Sequence, residues 1–582
     1  MASAALRSFC DRLSRKKTLE ADILETPLRR CLNLFDLLLL GIGHMVGAGI
    51  FVITGTVTKD VAGPGIVLSY LFAGVAAVLS SLCYAEFGAR VPKAGSAYTY
   101  TYVTIGEFVA FLIGWSMILE NMIGAASVAR AWSGSFDALF DGAIRNGTLT
   151  HVGEMHVAWL SKYPDFVAFL AVAVVVVFVA AGAKVSTTFN SILTIINLAV
   201  LVLIMGLGYY LADARNWTNP ATGGFLPKGF GGVVAGAGSC FYAYIGFEGI
   251  AIAGEETKNP SRVIPIATGL AMAIVSLLYI GCSSALTLMI PWNQVNVEAP
   301  FPAAFAYHGY QWARYLVAVG SLFGITTSLL CSVFALPRSV YSMSSDGLFF
   351  RAFAAVNART QTPLLSIVVF GAATGMVALL MDLEVLVELL SIGTLLSFTI
   401  VAASVVVLHY QPVDACQFQL KPDQSTLLRE LDESAAAATE SPTVGEDGGD
   451  EDARSVASDD DRRRIMKTSQ SHDDIGKLKK RFLELPFVKS LPPGRAPLVA
   501  LVSMTVFMIA FWLLVLHGTA HLAAAAWWSI VLLIVFIIGL VLSFLLLLAH
   551  EQNTSFLTFQ VNKQERLDGG CLTSGGKSAR TS

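Results

Sequence analysis

Two glycine-rich interruptions and two isolated carboxylates, all inside long apolar runs, are the residues of this 582-residue chain whose types and spacing could do chemistry. The first interruption is Gly41-Ile42-Gly43-His44-Met45-Val46-Gly47-Ala48-Gly49-Ile50, in the middle of an apolar run over 35–57. A glycine costs a helix roughly 1 kcal/mol relative to alanine, so four of them within nine residues predict an unwound turn. In hydrocarbon such a turn strands peptide N–H and C=O groups, and it is tolerated only where backbone lines a cavity or faces a ligand. The amide groups of Gly47, Ala48 and Gly49, at the positive start of a second half-helix, would then hold a carboxylate. Close helix packing is the competing reading, since Gly43 and Gly47 also fit a GxxxG pattern.

The second interruption, Phe241-Tyr242-Ala243-Tyr244-Ile245-Gly246-Phe247-Glu248-Gly249-Ile250, places Glu248 at mid-membrane depth. An intramembrane carboxylate is expensive, which favours function over a purely structural partnership. Glu120 is the second such group, and Arg130 is too far along the same helix, about 15 Å in rise, to pair with it. It needs another cation, such as a substrate with a basic side chain, or else hydrogen bonds within the bundle. His44 reads as a hydrogen-bond partner for freed backbone before it reads as a pH sensor. Glu86 and Glu107 read as solvated or gating charges at the ends of their helices.

These elements belong to a membrane protein. The chain is 55% hydrophobic and 14% charged, with mean hydropathy +0.64, and its apolar runs of about 20 residues each suffice to cross a bilayer. Twelve spans are predicted, near 35–57, 64–87, 105–134, 164–181, 187–212, 232–254, 263–291, 313–337, 364–382, 385–408, 497–517 and 524–549. Residues 1–34 carry seven arginines and lysines ahead of any apolar run, so they form a cytoplasmic segment rather than a cleaved signal. The sequons at Asn146 and Asn216 then fall outside, as glycosylation sites. The interruptions lie in spans one and six, where an inverted five-plus-five repeat places equivalent helices around a midplane site. No HExxH, P-loop or credible Ser/His/Asp set is present, and nothing points to nucleic acid. The expectation is a transporter without catalytic residues, metal or cofactor.

Gly41 to Gly55, Cys83-Tyr84-Ala85-Glu86-Phe87-Gly88-Ala89-Arg90, Gly95-Ser96-Ala97-Tyr98, Ala126 to Ser133, Cys240 to Phe247 and Leu336-Pro337-Arg338 resemble the cationic amino acid transporter family, over about 25–412 and weakly over 497–560. Met45-Val46-Gly47, His151-Val152-Gly153 and Tyr163-Pro164-Asp165-Phe166 resemble its type-4 branch. The resemblance implies an all-α amino acid–polyamine–organocation (APC) fold, with a ten-helix transporter core over 35–408 and two extra helices over 497–549. It implies an amino acid substrate between spans one, three, six and eight. Its carboxylate would meet Gly47, Ala48 and Gly49, and its ammonium the carbonyls of Met45, Tyr242, Ile245 and Phe247. Glu120 would face a cationic side chain (arginine, lysine or ornithine), with Glu248 beside the site and Thr326 and Ser328 lining its far end. His44-Met45 replaces a Ser-Thr pair common in the family, which opens the alternatives of a neutral amino acid carrier or a non-transporting sensor. Asn197 stands where proton-coupled relatives carry lysine, implying facilitated transport driven by membrane potential, most naturally at the plasma membrane.

The loop between spans three and four has no cysteine, so no disulfide-linked heavy chain is expected. The acidic, Ser/Ala-rich stretch 409–496 should be a disordered cytoplasmic loop. Residues 550–582 should form a polar cytoplasmic tail, departing from the family pattern after Val561 as an atypical or truncated end.

Overall fold

A computed structural model describes residues 15–17, 28–47, 49–140, 142–155, 160–220, 223–297, 299–410, 495–517 and 527–549. The expected loop 409–496 lies outside the described residues except at its two ends, and the tail 550–582 lies wholly outside them. In chain order the helices are α1 (Leu34–Met45), α2 (Ile66–Arg90), α3 (Ala97–Thr104), α4 (Glu107–Ala138), α5 (Ala143–Val152), α6 (Phe166–Ala180), α7 (Ala183–Tyr210) and α8 (Gly229–Phe241). There follow α9 (Glu248–Ile252), α10 (Pro260–Met289), α11 (Pro300–Tyr307), α12 (Gln311–Ser345), α13 (Leu364–Leu380), α14 (Leu383–Tyr410), α15 (Arg495–His517) and α16 (Trp527–Leu548). Helix occupies each of the twelve apolar runs, and eight stretches among the described residues are long and apolar enough to cross a membrane.

The burial pattern suits lipid. On α2, Ser69, Tyr70, Ala73 and Ala77 face the interior, while Leu71, Phe72, Val75, Leu79 and Leu82 are exposed. Water would penalise that outward face, whereas hydrocarbon does not. Inside, α10 packs along α2 and α1, and α12 packs along α4 and α7. These contacts enclose the two interrupted runs.

The chain divides after Val405 into two compact units. The second unit has its own small core of Tyr410, Ala500 and Leu547. There α15 and α16 pair through a Ser503–Ser543 hydroxyl bond of 2.8 Å, and Phe507 packs against Gly539 so closely that a Cβ there would lie 2.7 Å from its ring.

Several buried charges away from the breaks are paired. Arg338 of α12 forms a forked pair with Glu256 (2.8 and 2.9 Å from one guanidinium nitrogen), both side chains 1% exposed. Lys17 donates to both oxygens of Asp346 (2.5 and 2.7 Å), to which Tyr98 also donates at 2.9 Å. Burial, with Asp346 beside it, pushes the Tyr98 hydroxyl well above the ordinary phenol range, so it stays a donor. Arg15 pairs with Glu107 at 2.8 Å and Glu86 pairs with Arg90, so neither carboxylate stands alone as a solvated charge.

Breaking a buried pair leaves an uncompensated charge, at about 3–5 kcal/mol. Glu256→Ala should therefore lower the thermal midpoint of the purified full-length protein sharply, as read by tryptophan fluorescence. An unchanged midpoint would show that Arg338 finds another partner.

Candidate functional site

Both glycine-rich runs are interrupted. α1 ends at Met45, and helical turns resume at Gly49 as a π turn through Ile53, with a second π turn over Val57–Ala62. α8 ends at Phe241, passes through a single 3-10 turn (Tyr242–Tyr244) and an extended Ile245, and restarts at Glu248. Gly246, at φ +128°, holds a conformation closed to other residues.

The two breaks touch through backbone. A Cβ on Gly49 would lie 2.5 Å from Ala243 Cα, and one on Gly246 would lie 2.9 Å from the His44 ring. The GxxxG glycines also pack closely, with Gly43 against Asn190 and Thr194 and Gly47 against Ser328. Close packing and an open turn therefore coexist here.

The freed carbonyls have partners. The Ser328 hydroxyl lies 2.9 Å from His44 O and 3.2 Å from Gly43 O, and Asn197 Nδ2 donates to Val46 O (3.0 Å). The Tyr279 hydroxyl sits 2.7 Å from Met45 O and 2.8 Å from Ala243 O, and Tyr70 reaches Gly49 O at 3.3 Å. Each satisfies a group that a continuous helix would satisfy internally.

Between the breaks lies a cavity of about 50 Å³. It has room for a few waters, at ~10–15 Å³ each, and too little for an amino acid until side chains move. Of the residues named from the sequence, Met45, Gly49, Glu120, Tyr242, Ile245, Glu248 and Ser328 line it. His44, Asn121, Gly124, Val128, Ser332 and Leu390 line it as well. His44 Nε2 bonds Ser332 Oγ at 3.2 Å, and Asn121 donates to Met117 O at 2.8 Å. Among these, only the histidine had a sequence signal, its place inside the first break.

Glu120 is 8% exposed; one oxygen accepts from Ser397 at 3.4 Å, and the other has no hydrogen-bond partner among the described residues. Glu248, 7% exposed, accepts the Gly246 amide at 2.9 Å. Neither has a cationic partner among the described residues. The two carboxylates share one cavity.

Other expected site residues lie apart from this lining. Phe247 packs between Tyr84 and Phe398, at 5.5 and 4.9 Å between ring centroids. Thr326 turns toward Trp132, which donates to its hydroxyl at 3.0 Å. The Gly47 amide already donates to Met45 O at 3.0 Å, and Ala48 lies outside the described residues. The carbonyls of Tyr242 and Phe247 each accept one backbone N–H, from Ile245 and Ile250. Arg130, further along α4, pairs with Asp165 at 3.4 Å and stands 3.9 Å from Asp382, over the Tyr163 ring.

Two broken helices meeting at a small acidic cavity, within helices fit for a bilayer, define the frame of a membrane carrier rather than an enzyme. The amino acid permease family model matches residues 32–422, and the chain belongs to that family. It is therefore an integral, multi-pass membrane protein of amino acid transport. It is 43% identical over 562 residues to "Cationic amino acid transporter 4" of Mus musculus and 42% identical over 565 residues to the Homo sapiens protein of that name. Each alignment covers 96% of this chain and 84% of the relative, in keeping with the type-4 resemblance. It is also 35% identical over 410 residues to "Cationic amino acid transporter 4, vacuolar" of Arabidopsis thaliana, covering 70% of this chain and 68% of that one.

Because the atom facing Gly49 is backbone, trimming the neighbour cannot make room. Gly49→Ala should cut labelled amino acid uptake at least tenfold at equal surface expression, and adding Ala243→Gly should not restore it. Restoration by the double variant would mean that only the methyl groups collide.

Proposed function

We propose that this protein carries cationic amino acids across the membrane by alternating access around the cavity between the two breaks. The observation that carries this reading is the pair of cavity carboxylates, Glu120 and Glu248, with no cationic partner among the described residues. A buried charge without a counter-ion is unfavourable, so a basic side chain or ammonium entering the cavity supplies what the protein withholds. Half-helix ends divide the zwitterion: amides at Gly47, Ala48 and Gly49 suit the carboxylate, and carbonyls at Met45, Tyr242, Ile245 and Phe247 suit the ammonium. Ser328, at the cavity wall, bounds the site; Thr326, turned away, would contribute only after a conformational change. The names of the relatives support the substrate class.

The architecture we infer is twelve transmembrane helices, ten of them in an inverted five-plus-five repeat, with both termini cytoplasmic. The plasma membrane is the proposed location, without a disulfide-linked heavy chain. Of the two sequons, exposed Asn146 is the better glycan acceptor, because the Asn216 amide donates to Leu288 O at 2.7 Å. Asn197, fully buried and held by the Val46 carbonyl, offers no titratable group at the coupling position. Uptake would then be facilitated, driven by about 2.3 kcal/mol per charge for each 100 mV.

In proteoliposomes, labelled arginine uptake should exceed leucine uptake and rise with an inside-negative potential, and Glu120→Gln and Glu248→Gln should each reduce arginine uptake at least tenfold. Unchanged arginine uptake in both variants would remove the site assignment. Binding without flux would identify a sensor, and preference for leucine a neutral carrier.

A further inference from the structure

Tyr279 touches the backbone of both breaks. It is fully buried in α10, and its ring packs between Tyr70 (5.2 Å) and Tyr244 (5.1 Å). Its hydroxyl lies 2.7 Å from Met45 O, at the end of α1, and 2.8 Å from Ala243 O, just past the end of α8. Both carbonyls stand at negative helix ends, where a donor is favoured. It is not among the residues lining the cavity.

A phenol carries one hydrogen. It can therefore donate to only one of these carbonyls at a time, while standing at bonding distance from both. Met45 O also accepts the Gly47 amide, so it is not stranded when the hydrogen turns to Ala243. The hydrogen can thus serve either half-helix, and Met45 O keeps one donor when it turns to Ala243 O.

We propose that Tyr279 is a positioning residue that ties the two interrupted helices into one substrate-binding frame, its single hydrogen serving the Met45 and Ala243 carbonyls in turn. The kinetic side of this rests on the carrier reading; the tie itself does not. Tyr209 of α7 supplies the internal comparison, since its hydroxyl bonds Ser284 of α10 at 2.6 Å and reaches neither break end.

The test uses the full-length protein in nanodiscs and proteoliposomes. Tyr279→Phe should raise deuterium uptake together in peptides spanning 43–51 and 241–250. It should also raise KM for labelled arginine about tenfold, the effect of one hydrogen bond, with the maximal rate per molecule within about twofold. Tyr209→Phe should do neither. Replacing Tyr279 with a fluorinated tyrosine, which keeps the ring and strengthens the donor, should lower KM and guards against loss of folding in the phenylalanine variant. Unchanged exchange in Tyr279→Phe, or equal effects from Tyr209→Phe, would overturn the tie. If the wild-type protein takes up no amino acid, the carrier reading fails, and the exchange comparison still decides the role of Tyr279.

Discussion

Every peptide group inside a bilayer needs a hydrogen-bond partner, and the architecture around the two breaks follows from that requirement. Interrupting a helix is simple in sequence terms, because a few glycines suffice. Interrupting it in hydrocarbon requires donors from neighbouring helices at the level of each freed carbonyl. Here they come from α12 (Ser328), α7 (Asn197), α10 (Tyr279) and α2 (Tyr70). The packing of α10 on α1 and α2, and of α12 on α4 and α7, is what brings those side chains to the breaks. The unwound turns are thus held from several sides, which gives a defined shape to backbone that would otherwise be loose.

Charge is distributed by the same logic. Arg338, Arg130 and Lys17 each have a carboxylate within reach, including two pairs almost wholly withdrawn from solvent. The cavity breaks that pattern with two acids and neither lysine nor arginine among its lining residues. A buried carboxylate without a counter-ion is costly to ionise, so such a pair either holds a proton or takes its balancing charge from a ligand. The cavity's small volume adds that the walls must yield on binding, so affinity and conformational change are linked in one event.

Much of this was legible in the sequence. Glycine clusters announced both breaks, and apolar run lengths placed the helices to within a few residues. α12 shows where hydropathy falls short: the run ends at Pro337, but the helix continues to Ser345. Ser339 and Ser344 bond back to Ala335 and Val340 one turn earlier, so residues that look polar behave as satisfied core. Tyr279 was invisible for the opposite reason. A tyrosine in an apolar run is ordinary packing, and only the crossing of three helices puts its hydroxyl on two break ends. Thr326 sits in the right run, yet rotation about the helix axis turns it to Trp132, a detail that spacing does not encode. The partners of Arg130 were equally hidden, since Asp165 caps α6 from a loop and Asp382 precedes α14.

The last two helices hold together by contacts of their own. Their serine pair buries one polar contact and their phenylalanine–glycine knob supplies close packing, the two means by which helices associate in lipid. Across the long polar stretch 411–494, the pair shares its small core with Tyr410 at the end of α14. The last two helices thus form a packing unit of their own, anchored on the end of the helix that precedes them in sequence.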